Sequence, residues 1–409
     1  MRKNIFIYII LAALISSCTE EMYRSTEANI KSSLYDLSEN EALTIAKSFQ
    51  KSVTASPETR ANGVTLGIKS QYRLNASGQT RTLSDENSPL IYEIEMNDGL
   101  ENGKIIVSGD KRFPEVLAYM PSFNDSLYKV ATSPNVMVQM AKNALLDKIQ
   151  NYGTKPTTRS RPVDSVSGEV CVMIVPFCKT DWGQSSPFNQ LLPTAWVQYA
   201  VGVGSRPGSA WHNNYYTGEA VVAIAQAMAY LQPYLEINGT YINWEELTME
   251  KDVAIPYYNM AATLSKYIYD TIGTYPVWGK SYNDQWPQST IVDAVVAMET
   301  PINKVSDALS SSQYKITGDR DQKWNLDIVK KSLLSFYPVF VGDLNRVAFL
   351  IDGYAINDEN TVYFHCNFGR GDEFNGYYMV YDDGRVDFEP GGYIYRDTYL
   401  RIIANMRNR

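Results

Sequence analysis

The sequence predicts an α+β protein of two domains, and three observations carry that reading. A helix, a run of antiparallel-type strands and a second helix fill residues 37–152. A Gly, Thr, Lys, Pro, Arg and Ser stretch at 153–166 has linker composition. In the remaining part, residues 167–409, helical patterns come first and strand patterns last. With 409 residues, 44% hydrophobic and 20% charged, the chain has apolar material for more than one core. Its net charge of -8, with no Lys/Arg block, gives no reason to expect nucleic-acid binding.

The order of the chain begins with Arg2 and Lys3, then an apolar run from Ile5 to Ile15 and Ser16-Ser17-Cys18. That run is short for a membrane span and has the layout of a secretory signal. Its end resembles a bacterial lipobox, so residues 1–18 are expected to be a lipoprotein signal peptide with Cys18 as the lipidated residue. Residues 19–36 are polar and Ser-rich and read as a tether; Thr19-Glu20-Glu21 resembles the acidic tether of lipoproteins sent to the outer surface. The implied location is the bacterial cell envelope, lipid-anchored at the outer membrane or cell surface, with the lipid as the only membrane contact. The other cysteines, Cys171, Cys178 and Cys366, have no metal-ligand spacing. Cys171 and Cys178 lie seven apart in one apolar run, so on one strand they face opposite ways and cannot pair, and buried free thiols are expected. No cofactor or metal site is expected.

In the first domain Ser38-Glu39-Asn40-Glu41 caps a helix whose Ala42, Leu43, Ile45, Ala46 and Phe49 recur at helical spacing. Residues 53–88 are polar with little periodicity and read as irregular strands and loops. Leu90–Met96 alternates as a strand, Lys104–Ser108 forms another across an Asn/Asp/Gly turn, and Pro114–Met120 a third. A helix from about Pro134 to Tyr152 closes the unit. The second domain opens with Trp182-Gly183-Gln184-Ser185-Ser186-Pro187-Phe188-Asn189. A helix over 217–232 follows, with Thr217 as N-cap and Gly218 and Glu219 in its first turn; it is apolar on nearly every face and therefore central. Further helices are predicted around 251–272, 290–310 and 324–334. Strands follow at 337–341, 347–351, 361–368 and 377–380.

The helix at 217–232 resembles the catalytic helix of the streptopain-like cysteine peptidases (the C10 family), where Gly-Cys opens an Ala-rich helix. Gly218, Ala225, Gln226 and Met228 match, and Glu219 stands at the cysteine position. Trp182-Gly183-Gln184 matches the block whose glutamine donates to the oxyanion, so Gln184 is retained. Arg346-Val347-Ala348-Phe349-Leu350-Ile351-Asp352-Gly353-Tyr354 matches the histidine block, with Val347 at the histidine position. His365-Cys366-Asn367-Phe368-Gly369-Arg370-Gly371 matches the last block: Asn367, the imidazole-orienting residue by the family pattern, is kept, and both tryptophans are replaced. Ile106-Val107-Ser108-Gly109-Asp110-Lys111-Arg112, with Pro114-Glu115 after it, resembles a phrase of the family's propeptide. The resemblance implies a papain-like cysteine peptidase fold over 167–409, a helical half against an antiparallel barrel-like sheet. It implies a propeptide-like, inhibitor-like α+β domain over 37–152, removed in the family near such a junction.

A cysteine peptidase needs a thiolate, an imidazole within reach of it and a donor for the oxyanion. Valine carries no proton, and removing either member of such a pair forfeits nearly all the acceleration. Glu219 reads as an N-terminal helix stabiliser. His212, upstream of the helix, has no thiol to activate, and His365 and Cys366 point to opposite strand faces. The expected protein is an exported, catalytically inactive homologue of these endopeptidases that binds a peptide or protein ligand or inhibits a related protease. Two alternatives stay open: a peptidase or other hydrolase rebuilt on Glu219, and a surface adhesion or glycan-binding lipoprotein using Tyr and Trp at the cleft rim.

Overall fold

The structure is a computed structural model. It describes residues 33–54, 64–74, 80–81, 88–97, 102–123, 132–150, 152, 169–198, 209–283, 291–311, 313–342, 348–380, 385–388 and 395–409. Residues 1–32, which hold the expected signal peptide with Cys18 and most of the expected tether, the expected linker at 153–166 and Val347 lie outside the described residues.

The N-terminal module starts with α1 (Glu39–Val53), and its capping box is fully formed. The Ser38 hydroxyl accepts from the Glu41 N–H, and the Glu41 carboxylate accepts from the Ser38 N–H at 2.7 Å. Those bonds to the ionised form hold the Glu41 carboxyl below its ordinary pKa. Ala42, Ile45, Ala46 and Phe49 form the buried stripe. The strands are β1 (Thr65–Leu74), β2 (Thr80–Arg81), β3 (Leu90–Asn97), β4 (Asn102–Ser108) and β5 (Val116–Met120), then α2 (Thr132–Gln150). They pair antiparallel in the order β2-β1-β3-β4-β5. Strand β1 is a ten-residue element inside the stretch that reads as irregular. Its Leu66, Ile68 and Tyr72 alternate with polar residues, a period diluted by Gly67 and a bulge at Ile68/Ser70.

The second half runs β6 (Val170–Ile174), β7 (Thr194–Gln198), β8 (Ser209–Asn214), α3 (Glu219–Leu231), β9 (Glu236–Ile237), β10 (Thr240–Tyr241), α4 (Trp244–Leu247) and α5 (Tyr258–Ile272). Then come β11 (Tyr275–Asn283), β12 (Ile291–Glu299), α6 (Ile302–Ser310), β13 (Ile316–Thr317), β14 (Gln322–Lys323) and α7 (Leu326–Leu334). The chain ends with β15 (Val339–Gly342), β16 (Ala348–Asn357), β17 (Val362–Asn367), β18 (Gly376–Met379), β19 (Arg385–Phe388), β20 (Tyr395–Tyr399), β21 (Arg401–Ile403) and β22 (Arg407–Asn408). The fold is mixed α+β, as expected, with a large antiparallel sheet.

Several boundaries differ from the sequence reading. Residues 291–299 form strand β12 rather than the first half of a helix; Ile291, Val292, Val295 and Val296 supply β-branched side chains, and β12 pairs with β11 along its length. The helix starts only at Ile302, after Pro301. The helix expected from 251 begins at Tyr258, behind a 3-10 turn over Ile255–Tyr257. Strands β7, β8, β11 and β12 close into a small barrel that the sequence did not announce.

The main sheet has twelve strands in the order β14-β21-β15-β16-β17-β18-β5-β4-β3-β1-β2, with β6 paired to β16 off that path. Strands of both modules therefore lie in one sheet, joined where β18 pairs antiparallel with β5. One core follows the sheet and includes residues from Leu37 to Leu145 and from Trp324 to Ala404. A second core surrounds α3 and includes Trp182, Ile268, Val305 and Leu350. No helix of the described residues is long and apolar enough to cross a membrane.

Candidate active site

Helix α3 is the centre of the second core, and every residue from Ala220 to Ala229 is buried. The small alanines let β16 and α5 pack close to it. The helix begins one residue later than the sequence reading placed it: Gly218, not Thr217, is the N-cap, and no side chain caps it. Gly218 has φ of +90°, and a Cβ there would stand 3.2 Å from Cβ of Met298. The positive φ is what calls for glycine, and the close Met298 side chain adds to that preference. The Thr217 N–H donates to the Gln184 carbonyl at 3.1 Å, and the Gly371 N–H to the Trp182 carbonyl at 3.3 Å. These bonds bring three separated blocks, 182–184, 217–219 and 369–371, to the head of α3. Gln184 sits there, half-buried.

Glu219 occupies the first turn of α3, where the helix dipole favours an anion. Its Oε1 accepts from the Arg370 guanidinium at 2.5 Å, and its Oε2 accepts from the Ala348 N–H at 3.2 Å. The two side chains are largely buried, with Arg370 22% and Glu219 10% exposed. The carboxylate therefore ties the helical half to the start of β16 and to the turn after β17. It meets Ala348, the residue directly after Val347.

Below this pair lies a neutral knot. Gln226, on α3, and Asn367, at the end of β17, exchange amide hydrogen bonds in both directions, at 2.8 and 3.0 Å. The Gln226 Oε1 also accepts from the Thr180 hydroxyl and the Trp182 N–H. The Asn367 Nδ2 donates to the Thr180 carbonyl, and its Oδ1 accepts from the Gly369 N–H. Asn367 has both amide hydrogens and both acceptor positions engaged. It joins helix, sheet and the 180–182 loop.

The two histidines stand apart from these groups. His365 Nδ1 lies 2.6 Å from Oδ1 of the fully buried Asp352, whose Oδ2 accepts from the Cys178 N–H. The pair fastens β16 to β17 and to the segment after β6. His212 is exposed on β8, with its ring edge-on to Trp196. Cys178 and Cys366 are buried free thiols, and burial, with the Asp352 carboxylate adding to it, pushes both thiols well above the usual range. Cys171 departs from the expectation: it is exposed on β6, and Cys178 lies beyond that strand's end. Among the described residues no group of three or more His, Cys, Asp or Glu side chains is placed to hold a metal.

The sequence reading registered Arg370 only as a lost tryptophan and Gln226 only as a motif match. A signal for the ion pair was present: two non-conservative changes of opposite charge, in blocks that the family pattern brings together. Three polar atoms on the converging blocks, Trp182 Nε1, Thr217 Oγ1 and Arg370 Nε, are buried without a hydrogen-bond partner.

Comparison with known proteins agrees with this geometry. Residues 182–378 match the model of the peptidase C10 family, and residues 35–146 that of the Spi protease inhibitor. No curated protein and no solved structure matched the chain. The matched segments fall within the two modules, and the first contains all three blocks gathered at the head of α3. Residues 182–378 thus form a domain of the peptidase C10 family, and an inhibitor-type module over 35–146 precedes it.

Proposed function

We propose that this chain is a catalytically silent member of its family, exported and lipid-anchored through Cys18, that acts by binding a peptide or protein at the retained cleft. The observation that carries the reading is the position of Glu219. A carboxylate fills the place of the thiolate, and each of its oxygens already has a donor, Arg370 or the Ala348 N–H. With valine at the histidine position there is no base to generate a nucleophile. The same two bonds argue against Glu219 as a rebuilt general base, because it would have to break an ion pair to take a proton. The unpartnered Trp182, Thr217 and Arg370 atoms support a binding role, since buried unsatisfied donors gather where a ligand or water completes the site.

The test is casein hydrolysis by the full chain, purified from the membrane fraction in which it is expected and from which Cys18→Ser should release it. The parent is expected to be silent. Adding Arg370→Trp to Glu219→Cys/Val347→His is expected to restore cutting, because the family pattern carries tryptophan there and Arg370 would otherwise be left a largely buried cation without its carboxylate. Hydrolysis by the parent that disappears in Glu219→Ala would overturn the proposal and make the carboxylate the catalytic group.

A further inference from the structure

The resemblance to a propeptide implies a module that is cut off and leaves. The way this module is joined to the rest of the chain points the other way. Strand β5 is hydrogen-bonded on one side to β4 and on the other to β18, in the register Tyr377↔Tyr119 and Tyr378↔Ala118. It is an interior strand of the twelve-stranded sheet. At this junction a Cβ on Gly376 would fall 2.0 Å from the Tyr119 carbonyl oxygen, so glycine is what permits the approach. Beyond the strand end the Phe374 N–H donates to the Ser122 carbonyl at 3.2 Å, and the Phe123 and Phe374 rings meet edge-on at 5.5 Å.

The same seam is closed by apolar and charged groups. Phe49, from α1, stands 4.8 Å from the ring of Tyr363 on β17, and both are fully buried. Helix α2 lies against β18 and β19. Glu115, only 2% exposed, is held by Lys148 at 2.6 Å and by the Thr361 hydroxyl. The Lys148 ammonium also reaches that hydroxyl at 3.3 Å. Glu115 belongs to the Pro114-Glu115 pair of the propeptide-like phrase. Its partner Thr361 lies in the peptidase-like half.

We infer that the N-terminal module is a permanent layer of this protein: cutting the chain between residues 153 and 166 leaves the two pieces bound as one particle. Separation would open two interior strand edges, β5 and β18, to water. It would expose the aromatic core along the seam and leave the Glu115 carboxylate and the Thr361 hydroxyl without partners across it. A core cut in half in this way has the character of an obligate interface. The partner that the β18 edge fits is this chain's own residues 35–146.

The test is independent of whether the cleft is silent, because an added protease makes the cut. A recognition sequence for a specific protease is inserted between Lys155 and Pro156 of the full chain. After cleavage the two pieces are expected to co-elute in equal amounts at the position of the uncut protein, and still to do so after about a hundred-fold dilution. Elution of the N-terminal piece by itself, or its loss with precipitation of the remainder, overturns the inference. Hydrogen exchange on the uncut chain gives a second reading. Amides of β5 and β18 are expected to open together, at the rate of the slowest-exchanging strands. Exchange of β5 by a separate, faster opening would overturn it equally.

Discussion

Two polar clusters join helix α3 to the sheet, and they differ in kind. The lower one, Gln226 with Asn367, is neutral, fully buried and complete in its hydrogen bonds, and both residues match the family pattern. The upper one, Glu219 with Arg370, is charged and partly exposed, and both residues depart from it. These two charged departures lie at the head of α3, while the amide pair that joins helix to sheet one layer below is kept. Holding the two halves together and running a reaction between them are separable tasks in this fold. The ion pair bridges the first turn of α3 to the turn after β17.

The sharpest way to break the comparison is to remove the lower knot. Gln226→Leu takes one partner from each side of the Asn367 amide and leaves the Thr180 hydroxyl and the Trp182 N–H buried without their acceptor, and unsatisfied buried groups cost about 1–3 kcal/mol each. A loss of about 3 to 4 kcal/mol in unfolding free energy by urea titration is expected. Replacing both, as Gln226→Leu/Asn367→Leu, should cost less than the sum of the single changes. Additive losses would mean that the two amides are not one unit.

The upper pair should matter less. A double-mutant cycle of Glu219→Gln and Arg370→Met is expected to give a coupling of roughly 1 to 2 kcal/mol, below that of the knot. The partial exposure of Arg370 and the remaining Ala348 N–H bond both reduce the cost of losing a partner. A coupling near zero would make Glu219 a helix-end charge only, and a coupling larger than that of the knot would reverse the ranking of the two layers.

How much of this was legible follows from where the information sits in the chain. The capping box at Ser38, the Ala-rich α3 and the apolar strands β15 to β17 are local patterns, and the sequence displays them directly. The substitution of Glu219 for a thiol was equally plain, because it falls inside a short motif. The barrel of β7, β8, β11 and β12 was not legible: β-branched residues at 291–296 also satisfy a helical spacing, and the pairing that decides between them comes from distant strands. The union of the two modules in one sheet was invisible for a related reason. Linker composition at 153–166 marks a boundary along the chain, but only Gly376 hinted that two backbones meet far from it. Arg370 escaped because its meaning depends on Glu219, a residue distant in the sequence.

A buried charge outside both clusters sharpens the comparison, since it lacks what both possess. Lys142, on α2, is 8% exposed, and its ammonium stands 4.9 Å from the ring of Tyr72. The nearby carboxylate, Glu93, accepts from Lys104 at 3.3 Å. Burial lowers the Lys142 amine to a pKa of about 8, opposed by the attraction of Glu93. In the unfolded chain the amine keeps its proton up to about pH 10.4. Between these values the unfolded state binds more protons than the folded one, so this group's contribution to stability rises with pH and is at its most unfavourable below pH 8. Lys142→Met is therefore expected to stabilise the protein at pH 7 by about 1 kcal/mol, within an upper bound of about 3 kcal/mol set by the shift. That advantage should shrink steadily between pH 8 and 10, as the parent sheds the proton while folded. Urea titrations of parent and variant at pH 7 and 10 measure the difference directly. A methionine variant less stable than the parent at pH 7 would show that the Lys142 ammonium is as well partnered as the groups of the two clusters.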